Sequence, residues 1–329
     1  MEERKVRQVE RALPRTGEPR RPPSDARRAA GACFGYEVRS DLTFHYLREG
    51  GGDPIEVDVD EESLPTPTDP PLHEWLPRPE NALHARVWAS DAGYTLWIEG
   101  VGWYRVDPSA PSIRIPTSSP SPVRREEHIW GLPASLCFVH RGDLPLHAAA
   151  VEVGGSAVLL AAPGRFGKTT LAAAFLKAGY RLLAEDLCCC RLSTVPQLLP
   201  GPAMLRVRRD VYERLDLPGT YPLFDEPDRV HLAIEPTLRG DSSPVPVAAV
   251  IFLKIGGEQP IMRPVSPMDA VRDLWAVSFN LPTDADRARC FQGVTDLASR
   301  VPLWELHRRF EVDHLEPTIQ AIVDSCSGA

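Results

Sequence analysis

The first third of the chain contains short runs in which apolar and polar residues alternate, separated by turn residues. These runs lie at 36–39, 55–59, 85–88 and 94–98. Alternation with a period of two predicts half-buried β-strands. We therefore expect a small β-rich domain, mainly antiparallel, over 32–122. Its core is expected to contain three tryptophans, which suit a core better than a ligand cage: Trp88, Trp97 and Trp103.

From residue 123 onward, apolar runs with strand and helix periods alternate. The predicted helices are 124–140 with an interruption near 131–133, 169–178, 268–278, 285–299 and 315–324. The predicted strands are 146–153, 157–162, 181–192, 247–255 and 302–306. This order predicts a second, larger α/β domain over 123–329. Residues 1–31, rich in proline and arginine, are expected to form a disordered tail.

Charge is unevenly distributed between the tail and the body of the chain. The net charge is -8, and residues 1–30 hold nine basic and five acidic residues, which leaves 28 basic and 40 acidic residues in the remainder. Nucleic-acid binding draws much of its free energy from the neutralisation of phosphates, so an acidic body argues against a nucleic-acid partner. The basic tail is expected to be solvated, with a docking arm as the alternative.

The remaining composition is that of an ordinary globular protein. Apolar residues make up 43% and charged residues 25% of the 329 positions. No apolar run approaches the roughly 20 residues that a membrane span needs. The seven cysteines have no regular spacing, and Cys188, Cys189 and Cys190 are consecutive, which suits neither disulfides nor a CxxC metal site. We therefore expect a cytoplasmic protein with reduced thiols and no membrane partner.

A glycine-rich segment between a predicted strand and a predicted helix carries the clearest chemical signal. Such a loop lets successive backbone N–H groups turn toward an anion at a helix N-terminus. The segment approaches the pattern GxxxxGK(S/T), although Ala162 stands where the first glycine is usual. Lys168 is expected to contact the β- and γ-phosphates, and Thr169 to bind Mg²⁺. The candidate phosphate-binding residues are Gly164, Arg165, Phe166, Gly167, Lys168, Thr169 and Thr170.

Two adjacent acids, Glu185 and Asp186, interrupt an apolar run 17 residues beyond Lys168. Phosphoryl transfer to a hydroxyl uses a metal ion and a carboxylate near the acceptor oxygen. Because neighbouring strand residues point to opposite faces, only one acid is expected to face the phosphates unless a bulge intervenes. Asp186 is the stronger candidate for the metal or acceptor contact. The alternative is a strand end with both acids in solvent.

His147 lies on the predicted strand before the loop-bearing strand, which brings it toward the phosphates. On the residues alone, a hydrogen-bonded core histidine is the better interpretation. The remaining histidines show no paired spacing such as HExxH, so no zinc site is predicted.

Three sequence blocks within 144–192 together resemble the HPr kinase/phosphorylase family. They are the histidine followed by small residues at 147–150, the GRFGKTT loop, and RLLAED at 181–186. The likeness is to divergent members such as the lasso-peptide serine kinases. The resemblance implies a P-loop kinase domain with a mixed sheet like that of phosphoenolpyruvate carboxykinase, preceded by the β-rich domain. It also implies ATP- and Mg²⁺-dependent phosphorylation of a serine in a peptide or small protein, and relatives that are often homo-oligomers.

The resemblance further implies roles for three residues. The first acid of the family pair acts as base and the second helps to bind the metal, so these roles pass to Glu185 and Asp186 respectively. His147 matches the family histidine near the reacting phosphate. The chain departs from the family in having glutamate where aspartate is usual at 185, which puts the reach of the base in doubt. It also lacks a counterpart of the family's glutamate- and glycine-rich signature near 200–209, which argues against phosphorolysis.

Arginines replace that signature, namely Arg206, Arg208, Arg209 and, further on, Arg229. They suit either a phosphate or acidic-peptide clamp or a solvated surface. The alternatives to a serine kinase are a nucleotide-binding accessory protein without transfer activity and a kinase of a small metabolite. The sequence leaves the acceptor and the choice between ATP and GTP open.

Overall fold

A computed structural model describes residues 29–60, 67–76, 84–90, 93–116, 121–279 and 281–326. Within these ranges the protein is a mixed α+β structure with three sheets. No helix in these ranges combines the length and apolar character needed to cross a membrane. Most of the expected tail lies outside the described residues, but 29–31 belong to a strand. The division into domains at 32 and 123 stays a prediction.

The first sheet has eight strands in the described ranges, in the order β1-β2-β3-β8-β7-β6-β5-β4. They are β1 (Ala29–Cys33), β2 (Tyr36–Arg39), β3 (Asp53–Asp60), β4 (His73–Trp75), β5 (Ala85–Ser90), β6 (Gly93–Ile98), β7 (Gly102–Asp107) and β8 (Ser112–Pro116). The β2–β3 and β3–β8 pairs are parallel, which the alternating pattern did not predict. Trp88 is buried and contacts Trp103, but Trp97 and Trp103 are only partly buried. The expectation of three core tryptophans is therefore wrong for two of them.

Two helices lead into a second, mixed sheet. They are α1 (Pro122–Ile129) and α2 (Leu132–Arg141), which confirm the predicted helix and its interruption. The sheet comprises β9 (Leu144–Leu146), β10 (Ala148–Val153), β11 (Ser156–Ala161), β12 (Leu182–Ala184), β13 (Cys188–Arg191), β14 (Gln197–Leu199), β18 (Val245–Ile255), β19 (Ile261–Pro264) and β20 (Leu303–Arg308). Strands β11, β18 and β20 lie side by side and run parallel.

A third sheet, in the order β15-β17-β16, is inserted between β14 and β18. Its strands are β15 (Met204–Arg208), β16 (Thr220–Asp225) and β17 (Arg229–Ile234). The remaining helices are α3 (Lys168–Lys177), α4 (Arg209–Arg214), α5 (Pro236–Arg239), α6 (Pro267–Ala276), α7 (Asp284–Arg300) and α8 (Leu315–Cys326). The sequence pattern did not predict the third sheet.

Both faces of the second sheet are buried. The hairpin of β10 and β11 turns at Gly154 and Gly155, whose φ angles of 58° and 79° suit a two-residue turn. Along β10, Ala148 and Ala150 face a core that includes residues of the first sheet, α2 and α7. Ala149 and Val151 face the opposite core, which includes α3, α8 and the third sheet, as the period of two requires.

Two breaks, opposite each other, interrupt the second sheet. In each place the sequence predicted one continuous strand, and that prediction is wrong. The run 146–153 divides at His147 into β9 and β10, and the run 181–192 divides at 185–187 into β12 and β13. The antiparallel pairing continues on both sides, since Leu146 opposes Cys188 and Ala150 opposes Ala184. The residues of the two breaks therefore face each other across the sheet.

Arg48, which follows β2, fixes these strands from the side of the first sheet. Its side chain is 1% exposed and donates to four backbone carbonyls. The acceptors are Gly201 O at 2.8 Å, Leu182 O at 2.8 Å, Leu183 O at 3.3 Å and Arg239 O. Burial lowers the pKa of Arg48 to about 9. Arg48 thus holds β12 just before the acid pair and the chain just before β15.

Replacing Arg48 with methionine is expected to lower the free energy of unfolding by at least about 3 kcal/mol, because a buried acceptor left unpaired costs about 1–3 kcal/mol. Urea denaturation followed by circular dichroism measures this. The matched control is Arg272→Met on α6, whose side chain is 87% exposed and which should change stability little. A loss below about 1 kcal/mol for Arg48→Met would show that these hydrogen bonds are not important for stability.

Candidate functional site

The glycine-rich loop joins the end of β11 to the start of α3. Gly167 is the N-cap of α3 and has a φ of 81°, so a side chain there would be strained. Arg165 also adopts left-handed backbone, with a φ of 67°. The left-handed positions therefore fall at Arg165 and Gly167 rather than at Gly164. Ala162 does not have a positive φ, so its backbone conformation does not require glycine.

Lys168, the first residue of α3, is buried with 7% of its surface exposed. Its ammonium donates to Ala162 O at 2.7 Å, to Pro163 O at 3.2 Å and to His147 Nε2 at 2.9 Å. These contacts direct the ammonium into the loop. Burial lowers the pKa of Lys168, although Asp186 and Glu185 oppose that shift.

His147 bridges the loop and the acid pair. Because Nε2 accepts from Lys168, its partners assign the proton to Nδ1, which lies 3.0 Å from Asp186 O and 3.2 Å from Asp186 Oδ1. Burial lowers the pKa of His147, and the neighbouring Asp186 only partly offsets this. A neutral ring is consistent with its position beside Lys168. The structure thus brings His147 into the candidate site instead of leaving it in the core.

A tight turn at the end of β12 places both acids at the same site. The Leu187 N–H donates to Glu185 O at 2.8 Å, and Asp186 lies between them with a φ of 67°. A three-residue turn of this kind is uncommon and strained. It breaks the alternation of faces, so both acids lie at the site. The expectation of a single acid held only for an unbroken strand, and this strand is interrupted at Asp186.

The two acids have different surroundings. Glu185 is 3% exposed, and its Oε1 accepts from Thr169 Oγ1 at 2.7 Å. The side chain of Asp186 is 44% exposed and lies beside His147. Glu185 therefore contacts the residue expected to bind the metal, whereas Asp186 is the acid open to an incoming group. These contacts favour the reverse of the roles that the resemblance implies.

Arg206, on β15, joins the acid pair. Its Nε lies 3.3 Å from Glu185 Oε2, and its Nη2 lies 2.6 Å from Asp186 Oδ2. The sequence suggested two alternative roles for Arg206, in a phosphate or acidic-peptide clamp or on a solvated surface. It did not predict this ion pair. Two signals point to it: Arg206 alternates with the buried Leu205 and Val207, and two acids next to an apolar strand need a cationic partner.

The pKa values of the two acids shift in opposite directions. Burial raises the pKa of Glu185, although Arg206 opposes this. Burial acts in the same direction on Asp186, but the Arg206 guanidinium, with His147 and Lys168, outweighs it and holds the pKa of Asp186 well below its usual range. Asp186 is therefore ionised at neutral pH.

The other predicted residues are less involved. Arg165 is exposed, Phe166 is partly buried against the core beneath α3, and Thr170 is partly buried on the first turn of α3. The remaining arginines pair elsewhere: Arg208 with Asp210, Arg209 with Asp225, and Arg229 with Arg206 O. A clamp made of all four arginines is not formed.

The oxygen donors of the site suit Mg²⁺. Mg²⁺ binds oxygen ligands, commonly one or two carboxylates together with substrate phosphates. Thr169 Oγ1 and Glu185 Oε1 lie together at the N-terminus of α3, so these residues fit that chemistry. Asp186 is held instead by Arg206 and His147. Within the described residues, no group of three or more His, Cys, Asp or Glu side chains is placed to hold a metal ion.

A cavity of about 260 Å³ lies away from this site. Its lining includes Tyr94, His140, Asp286 and Arg289, and it shares no residue with the glycine-rich loop or the acid pair. The residues of the candidate site are therefore separate from that cavity.

Comparison with known proteins adds little to the geometry. No protein-family model matches the sequence, and no curated protein matches it. Among solved structures, the chain is similar to the Hpr(Ser) kinase/phosphatase from Coxiella burnetii, with 14% identity and a TM-score of 0.29, covering 55% of this chain and 93% of that chain. At these values the likeness carries no argument, so the family resemblance and the carboxykinase-like sheet stay predictions.

Proposed function

We propose that the protein is an ATP- and Mg²⁺-dependent kinase that transfers the γ-phosphoryl group to a serine hydroxyl of a peptide or small protein. The proposal is carried by one observation. The break at His147, the break at 185–187 and the start of α3 bring an ammonium, a hydroxyl, an imidazole and two carboxylates together, and Arg206 joins them into one hydrogen-bonded cluster. The sequence blocks that resemble the HPr kinase family supply these same residues.

In this proposal Lys168 and the N–H groups at the start of α3 bind the phosphates. Thr169 and Glu185 hold Mg²⁺, which when bound neutralises charge on the phosphates. Arg206 contacts both Glu185 and Asp186 and favours the ionised form of each. Its positive charge offsets the repulsion between them.

Asp186 and His147 face the acceptor in this proposal. Asp186 is ionised and exposed, so its carboxylate is able to accept a hydrogen bond from an incoming serine hydroxyl and take its proton as the bond to phosphorus forms. His147 Nδ1 lies 3.2 Å from Asp186 Oδ1 and orients that carboxylate. The phosphoryl group moves from the leaving ADP oxygen to the serine oxygen, and the serine proton passes to Asp186.

The experiment is transfer of label from [γ-³²P]ATP to an array of serine-containing peptides, with Mg²⁺ or with excess EDTA. We expect labelled peptides with an added mass of about 80 Da, the net gain of HPO₃ when a phosphoryl group replaces the hydroxyl proton of serine, and no label with EDTA. Matched peptides with alanine in place of serine are the control. Label on alanine peptides, or transfer that ignores EDTA, would contradict the proposal.

One observation favours the accessory alternative. Asp186 is already bonded to Arg206 at 2.6 Å, which lowers its capacity to take a proton. A protein that binds ATP at micromolar concentration and labels no peptide in the array supports that alternative.

A further inference from the structure

The end of β20 lies beside the glycine-rich loop. Strands β11, β18 and β20 are parallel, so their carboxyl ends meet at one edge of the sheet. Ligands of open α/β sheets bind at that edge. The loop follows β11 there, and the segment after Arg308 follows β20 at the same edge.

Two side chains of this segment contact the loop at Gly167. A Cβ added to Gly167 would lie 2.7 Å from Arg308 Nη2 and 2.9 Å from Phe310 Cε2. Arg308 Nη2 also donates to Phe166 O at 3.1 Å. The loop glycine is therefore needed for close approach as well as for its backbone angle.

Arg308 is a buried cation with spare hydrogen-bonding capacity. It is 4% exposed, burial lowers its pKa, and its Nε has no hydrogen-bond partner within the described residues. Its guanidinium carbon lies 5.7 Å from the centre of the Phe310 ring. Arg308 thus links the ring to the loop.

Phe310 itself is 50% exposed, although it follows a buried strand. The turn after β18 is joined to the end of β20, because the Gly256 N–H donates to Arg308 O at 3.0 Å. An exposed ring and a buried cation therefore adjoin the loop. Aromatic rings in such positions stack on nucleobases regardless of base identity.

We propose that Phe310 is the stacking platform for the base of the nucleotide whose phosphates bind the glycine-rich loop, with Arg308 holding the platform against Gly167. This inference rests on the proposed nucleotide binding and adds a base subsite to it. Because stacking does not depend on base edges, ATP and GTP bind this subsite with similar affinity.

The test compares a ligand that has a base with one that lacks it. Affinities of Mg²⁺–ATP, Mg²⁺–GTP and Mg²⁺–tripolyphosphate are measured by calorimetry for the wild type, Phe310→Ala and Phe310→Tyr. We expect Phe310→Ala to weaken ATP and GTP binding at least about tenfold, as loss of a stacked base does, and to leave tripolyphosphate unchanged. Phe310→Tyr should retain wild-type affinity.

The matched control is Phe291→Ala on α7, since Phe291 is 47% exposed and packs on Trp275. It should change no affinity. If Phe310→Ala weakens the binding of tripolyphosphate as much as the binding of ATP, or weakens the binding of neither ligand, the stacking platform is disproved while nucleotide binding stands. If the wild type binds none of the three ligands, the proposed function itself fails.

Discussion

Replacing Lys168 with methionine is expected to reduce phosphoryl transfer by about 100- to 1,000-fold, the loss that follows removal of one preorganised charge-stabilising donor. The physical reason is the position of the ammonium. Lys168 is buried at the N-terminus of α3 and directed into the loop by two loop carbonyls. No other cation among the described residues makes these contacts. Label transfer to the best peptide of the array measures the effect.

The control is Lys177→Met, which removes a lysine from the last turn of the same helix. Lys177 is exposed. We expect the control to retain activity within about twofold, since exposed substitutions away from a site usually have small effects. Equal loss in both variants would indicate a general effect on α3, and full activity in Lys168→Met would place the phosphates elsewhere.

Asp186→Asn and Glu185→Gln are expected to reduce phosphoryl transfer in different ways. Asparagine at 186 keeps the size of the side chain but takes no proton, so we expect the turnover rate to fall by about 100- to 10,000-fold, the range for loss of a general base. ATP affinity should remain near that of the wild type. Glutamine at 185 weakens the contact with the metal, so we expect it to raise the Mg²⁺ concentration required for half-maximal rate.

Steady-state rates as a function of Mg²⁺ concentration separate these outcomes. Each amide variant serves as the control for the other, because both remove one charge from the same pair. If excess Mg²⁺ restores Asp186→Asn but not Glu185→Gln, the roles implied by the family resemblance hold and the reversed assignment is wrong.

Local patterns predicted most of what lies close together in the chain. The loop between β11 and α3, the hairpin at Gly154 and Gly155, and the division of α1 from α2 each depend on residues only a few positions apart. Glycine placement and apolar period specify such features directly. The family resemblance, carried by the same short blocks, selected the cluster of His147, Lys168 and the acid pair.

The breaks that form the site depend on residues far apart in the chain. A mostly apolar run such as 181–192, with two acids near its middle, predicts one strand. The turn at Asp186 is held by Arg206, which is 20 residues later, and by His147, which is 39 residues earlier. A pattern read within a window of ten residues contains none of these partners. For the same reason the contact of Phe310 with Gly167 has no signal in the sequence.

The coupling between Mg²⁺ and ATP binding tests most directly whether the loop and the acids form a single site. ATP affinity is measured by calorimetry with Mg²⁺ and with EDTA, in the wild type, Lys168→Met and Glu185→Gln. We expect Mg²⁺ to tighten ATP binding in the wild type, Glu185→Gln to abolish that gain, and Lys168→Met to weaken binding in both conditions. If the ATP affinity of the wild type does not change with Mg²⁺, and neither substitution changes it, then Thr169, Glu185 and Lys168 do not converge on one nucleotide.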